Sequence, residues 1–272
     1  MDRSETGYLE RRKENREADT EVERNGQKKK TRRSKPIQNQ LKKFSLYYLN
    51  IRDFATKKEA LEEILDEIKP TVVAITETHL EGETSLELRG YCKPFRNDRN
   101  KDGVGILIAV RKELGNIAVE VSQTKEVYES LWIAIDNNKV KLKIGVVYFP
   151  QENTVTLKDI SNIYKLVKKE ISEGREKDQS VIIAGDFNCK VGDTIEGNIG
   201  PVSKGGKKLI KMIEKEKLCL TNASEKCEGK WTREENGKKS ILDYIIIEQE
   251  DEKYLRQRYE DRRVQEVCTL ST

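Results

Sequence analysis

The chain has 272 residues, 37% charged and 35% hydrophobic, with a formal net charge of +4. That length holds one large domain or two small ones, and a core of this size needs no covalent or metal staples. Five cysteines, odd in number, scattered and without a CxxC pair, argue against a disulfide framework or a zinc site and for a reducing compartment. No apolar run approaches the roughly 18 residues of a membrane span, and the charged N-terminus lacks the apolar stretch of a secretory signal.

Charge is unevenly spread. Residues 1–43 carry 14 Lys and Arg against 8 Asp and Glu, a balance of +6, while the remainder carries 38 against 40. This first segment has almost no apolar content and no periodicity, so it reads as a disordered basic tail. Its cluster KKKTRRSK groups Lys28, Lys29, Lys30, Arg32 and Arg33. Such a cluster fits nuclear import, contact with a phosphate backbone, or a solvated tail that does neither.

From Phe44 the texture changes, and residues 44–272 read as the folded part. FSLYYLNI predicts a strand. KKEALEEILDEIKP keeps a helical period through Ala60, Leu61, Ile64, Leu65 and Ile68, and Pro70 stops it. TVVAITET and GVGILIAVRK predict strands separated by the polar loop RNDRNKDG. SLWIAIDNN and KVKLKIGVVYF predict a hairpin turning at Asn137 and Asn138. LKDISNIYKLVKKEIS predicts an amphipathic helix, SVIIAGDF a buried strand and GGKKLIKMIEKEKL another helix. CLTNA and ILDYIII predict strands, and DEKYLRQRYEDRRVQE a charged, solvated helix. Apolar strands alternating with amphipathic helices imply sheets covered on both faces, partly antiparallel: a mixed α/β fold without repeats.

Polar residues stand where several of these strands stop. Asn50 follows YYL, Glu77 follows VVAIT, Tyr148 follows IGVV, Asp186 and Asn188 follow VIIAG, and Asp243 interrupts SILDYIII. A carboxylate in such a run is costly unless something pairs with it. Singly, each has a plain explanation: a Gly-Asp turn, Asn50 capping the next helix, Glu77 exposed past its strand. Together they bring Asp, Glu and Asn oxygens to one rim, which is hard-ligand chemistry suited to Mg2+ or Mn2+.

LNIR, AITET, GVGILIAV, VVYFP, IIAGDFNCKVGD and SILDYIII, in that order, resemble the endonuclease/exonuclease/phosphatase superfamily. The nearest likeness is the apurinic-site-endonuclease-like domain of non-LTR (LINE-type) retrotransposons. The resemblance runs over residues 44–272, with GDFN as its specific element. It implies a four-layer α/β sandwich of the DNase I-like type, two mixed sheets flanked by helices, and divalent-metal-dependent cleavage of DNA phosphodiester bonds. On this resemblance Glu77 is similar to the main metal-ligating carboxylate, with Asn50 beside it. Asp186 is similar to the aspartate that orients or deprotonates the attacking water. Asn188 and Tyr148 resemble groups on the scissile phosphate, and Asp243 the carboxylate that holds a catalytic histidine. Trp231 and Ser240 fall in the region beside the DNA cleft, though Trp231 reads equally as core and Ser240 as a strand-entry serine. Phe187 is expected to turn into the core while Asp186 and Asn188 face the site.

The family's pattern closes on a Ser-Asp-His run, where this chain reads VCTLST; its single histidine is His79, in TETH. The expectation is a domain incomplete at its C-terminus, with Asp243 lacking its partner, a sheet edge left uncovered and cleavage impaired. The expected partner is DNA, with no membrane, a monomeric state and a nuclear location. A catalytically inactive nucleic-acid-binding fragment, and a phosphatase acting on inositol or lipid phosphates, remain as alternative readings.

Overall fold

Strand β1, Lys43–Asn50, shows how the layers of the computed structural model arise. Phe44, Leu46 and Tyr48 face one core and Tyr47 and Leu49 another. Successive side chains of a strand point to opposite faces, so a strand apolar throughout needs cover on both sides. The described residues are 43–271 without 83–84, 99–103, 126, 137–139, 193–194, 196–199, 224–226, 229–232, 236–237 and 260–265. The cluster at Lys28–Arg33, the expected turn at 137–138 and Trp231 lie outside them.

The next strands are β2 (Val72–Thr76), β3 (Phe95–Asn97), β4 (Ile106–Val110), β5 (Ala118–Thr124), β6 (Glu129–Asp136), β7 (Lys141–Tyr148) and β8 (Ser180–Asp186). They are followed by β9 (Leu218–Leu220), β10 (Cys227–Glu228), β11 (Arg233–Glu235), β12 (Lys238–Ser240), β13 (Asp243–Glu248), β14 (Leu255–Tyr259) and β15 (Glu266–Ser271). One sheet runs β10-β14-β15-β1-β2-β4-β3 and the other β5-β6-β7-β8-β13-β9, with β11-β12 a separate hairpin. Both large sheets are mixed: β1 is parallel to β2, β7 is parallel to β8, and the β6–β7 hairpin is antiparallel.

Between the sheets, Leu46, Ala74 and Ile108 pack with Ile133, Ile144 and Ile245. Helix α1 (Phe54–Ile68) covers the outer face of the first sheet, placing Leu61 and Leu65 with Tyr47, Val73 and Ile75. Helices α2 (Leu157–Glu176) and α3 (Lys204–Glu216) cover the second, with Val167, Ile171 and Leu209 on Trp132, Ile183 and Ile246. These are the four layers that the sequence leads one to expect. Among the described residues no helix is long and apolar enough to cross a membrane.

Two expectations change. Asp53, not Asn50, caps α1: its side chain accepts from the Ala55 N–H at 3.0 Å, leaving Asn50 inside the strand. The described part of the charged segment after Glu248 contains no α-helix. Gln249–Tyr254 is a 3-10 helix, and Leu255–Tyr259 then forms β14, paired with β15. Alternation of Leu, Gln and Tyr with Arg suits a strand offered a partner, and pairing overrides helix propensity. In the same sheet β15 pairs antiparallel with β1 from Lys43↔Ser271 to Tyr48↔Glu266, so β1 has a neighbour on each side.

Candidate active site

Register gathers the polar strand ends. In the second sheet Glu129 lies opposite Tyr148, Tyr148 beside Asp186, and Asp186 opposite Asp243. Cross-strand neighbours share a face, so these four form one row. Ile182 and Ala184 point between the sheets, and Asp186 continues that alternation. In the first sheet Tyr48 and Asn50 continue the inward set of β1, and Thr76 lies beside Asn50. The polar groups therefore meet at one end of the inter-sheet core.

The glycine before Asp186 is required there. A Cβ on Gly185 would stand 2.0 Å from the backbone oxygen of Val147, so only glycine lets β8 lie this close to β7. Past it, Phe187 is buried in the outer core, as expected. Asn188 adopts φ 44 and its backbone N–H donates to Asp186 Oδ1 at 2.8 Å, while its Nδ2 donates to the Phe149 oxygen at 2.8 Å. An Asx turn thus fixes one oxygen of Asp186. Glu77 is also left-handed, at φ 55, in a half-buried turn. Backbone of this kind in a glutamate costs about 1–3 kcal/mol and persists only where its surroundings hold it.

Asn50 joins the two sheets. Its Nδ2 donates to Glu77 Oε1 at 2.8 Å and lies 3.4 Å from Asp186 Oδ2. That orientation leaves Asn50 Oδ1 buried without a hydrogen-bond partner. Exchanging the two ends of this amide would turn its oxygen toward the Glu77 carboxylate, and an amide oxygen with a carboxylate is a donor set a hard divalent cation takes, so in that orientation Asn50 and Glu77 fit Mg2+ or Mn2+. No group of three or more His, Cys, Asp or Glu side chains able to hold a metal occurs among the described residues. Mg2+ commonly uses one or two protein carboxylates and completes its shell with water and phosphate.

Tyr148 borders this group. Burial, then the charges of Glu77 and Asp186, push its phenol up to about 12, and a hydrogen bond with Asn188 pulls it partly back. It is a neutral donor at ordinary pH. Asp243 is buried, and Tyr48 Oη donates to its Oδ1 at 2.7 Å and lies 2.9 Å from Thr76 Oγ1. Burial and the Asp243 and Asp186 charges push the Tyr48 phenol well above its ordinary value, so it keeps the proton it donates. Ser240 ends β12, half-buried and opposite Arg233. His79 is exposed in the turn after Glu77, at φ 52.

Sequence reasoning missed Tyr48 and Glu129. Tyr48 sits in an aromatic run that reads as core, which it also is. Glu129 begins β6, and only the register of the β6–β7 hairpin reveals it as the neighbour of Tyr148.

The chain matches the model of the Endonuclease/Exonuclease/phosphatase family over residues 47–201 and the Endonuclease-reverse transcriptase model over residues 142–265. No match is found among curated protein sequences. Among solved structures, the endonuclease domain of TRAS1, a telomere-specific non-LTR retrotransposon, is similar with TM-score 0.60 at 16% identity, covering 84% of this chain and 98% of that one. A 3' phosphatase from Neisseria bound to a product DNA hairpin gives TM-score 0.62 at 12% identity, covering 83% and 98%. The AP endonuclease of Leishmania major gives 0.60 at 12%, covering 91% and 96%. At such identities these likenesses establish the fold, which is DNase I-like. With more than half its length matched by the family model, the chain belongs to the endonuclease/exonuclease/phosphatase family of hydrolytic, nuclease- and phosphatase-type enzymes.

Proposed function

We propose that the chain hydrolyses phosphodiester bonds in DNA, with Mg2+ or Mn2+ held at Asn50 and Glu77. The observation that carries this reading is the Asn50 amide: its nitrogen serves two carboxylates and its buried oxygen is left unsatisfied. A bound divalent cation would neutralise the charge that builds on the phosphate and the leaving oxygen. The chain's own groups act by position. Asp186 Oδ1 is held by the Asn188 N–H, which turns Oδ2 toward Asn50, where it orients a water and takes its proton. The Tyr148 phenol and the Asn188 amide donate to phosphate oxygens and keep the phosphorus in line with that water. Asp243, fixed by Tyr48, is the second carboxylate available for proton transfer in the row.

DNA as substrate is supported by the structural neighbours solved with it, the Neisseria 3' phosphatase with a product DNA hairpin and D. rerio TDP2 with a single-strand DNA product. The cluster at Lys28–Arg33 adds charge complementary to a phosphate backbone. The test is nicking of supercoiled plasmid with Mg2+ or Mn2+ against chelator, with an inositol phosphate offered in parallel. Metal-dependent nicking abolished by Glu77→Ala supports the reading. Phosphate release without nicking moves the site to a phosphatase, and DNA binding without either reaction makes the chain a binding fragment.

A further inference from the structure

We infer that Glu129 is a positioning residue for the Glu77 turn, acting across the sheets through the Val104–Gly105 backbone; this rests on the metal reading of Asn50 and Glu77 above. Glu129 is 1% exposed and lies at the site end of the second sheet. Its Oε2 accepts from the Gly105 N–H at 2.9 Å, and its Oε1 lies 3.4 Å from the Val104 N. The same two residues give their carbonyls to the turn that follows Glu77. Thr78 N–H donates to the Gly105 oxygen at 3.1 Å and His79 N–H to the Val104 oxygen at 2.8 Å. A two-residue segment is thus gripped by its N–H groups on the Glu129 side and by its C=O groups on the Glu77 side.

Glu77 and His79 are both left-handed, at φ 55 and φ 52, and a backbone so arranged in non-glycine residues needs support from outside. The segment that supplies it is closely fitted: Gly105 has φ +68, and a Cβ there would meet Thr78 Oγ1 at 2.5 Å. A buried carboxylate is costly where an apolar side chain would serve packing alone. Placing one at Glu129 is explained by the two peptide groups it holds and, through them, by the direction of the Glu77 side chain. A carboxylate two links from the cation thereby sets how well the first link is aimed, as groups behind metal ligands do elsewhere.

The test uses the full chain, with Mn2+ titrated by electron paramagnetic resonance and amide hydrogen exchange read at residues 77–79, 104–105 and 246. Glu129→Gln keeps the shape but turns a donor toward a donor. It should speed exchange at Thr78 and His79, leave Ile246 unchanged, and weaken Mn2+ binding by about tenfold, the usual effect of losing a group behind a metal ligand. Gly105→Ala perturbs the same segment from the other side and should weaken Mn2+ binding likewise, a second route should Glu129→Gln fail to fold. Unchanged exchange at residues 78–79, or unchanged Mn2+ affinity in either variant while Glu77→Ala weakens it, overturns the inference and leaves the metal reading intact. If Glu77→Ala itself leaves Mn2+ affinity unaltered, the metal reading falls and the role of Glu129 in it falls too.

Discussion

The two ends of β7 handle charge in opposite ways. Near its start Lys143, with a side chain 2% exposed, has its Nζ 2.6 Å from Glu170 and 3.6 Å from Glu173, donates to the Glu170 carbonyl at 2.9 Å, and lies 5.5 Å from the Trp132 ring centre. At its finish Tyr148 stands among Glu77, Asp186 and Glu129, all of one sign. The first end joins opposite charges in a finished structural contact. The second gathers like charges, two of them on the Asn50 amide, an arrangement that on the proposed reading favours a cation. One end of the strand is built for stability and, on the proposed function, the other for chemistry.

The sharpest way to break this contrast is at Glu77. Glu77→Ala should lower metal-dependent nicking by about 10³-fold or more, as loss of a charge-stabilising group does. It should leave the melting temperature of the metal-free protein level or higher, because a like charge is gone; a marked fall in melting temperature would sink the contrast. Glu170→Gln should do the reverse. Removing one partner of a largely buried ion pair, discounted for the nearby Glu173, should destabilise by about 2–3 kcal/mol in urea unfolding. Nicking at a temperature where the variant is folded should not change.

Tyr48→Phe comes next. It removes the donor to buried Asp243, so unfolding should show a loss of about 1–2 kcal/mol. Turnover should fall with little change in KM, since Tyr48 is separated from substrate by Asp243. The smallest effect is with pH. The Tyr148 phenol is raised to about 12 in the folded chain, against about 10 in an unfolded one. Its contribution is therefore fully present below about pH 10 and lost as pH rises toward about 12, so the urea midpoint should decline over that window, less so in Tyr148→Phe.

Much of this was legible in the chain alone. The apolar strands that stop at Asn50, Glu77, Tyr148 and Asp186 locate the rim, because a polar group has to leave a core where the core ends. In GDFN the alternation of a strand is read correctly, with Phe187 turned into the outer core and Asp186 to the opposite face; the close approach that requires Gly185 was not read from the sequence. What was hidden depends on register and on distant partners. Tyr48 is both a core aromatic and the donor to Asp243, and no local pattern separates the two. Glu129 acquires meaning only from the residues opposite it. The segment after Glu248 reads as a helix until β15 and β1 supply a neighbour, a contact that no window of sequence contains.

That last pairing has a consequence for how the protein is made. Phe44 pairs with Leu270, so the first strand of the fold receives one of its two neighbours from nearly the far end of the described chain. Loop closure on that scale is slow, and an apolar strand awaiting its partner is exposed to wrong ones. On the ribosome, β1 and β2 would stand side by side long before β15 emerges, leaving the other edge of β1 unpaired until then.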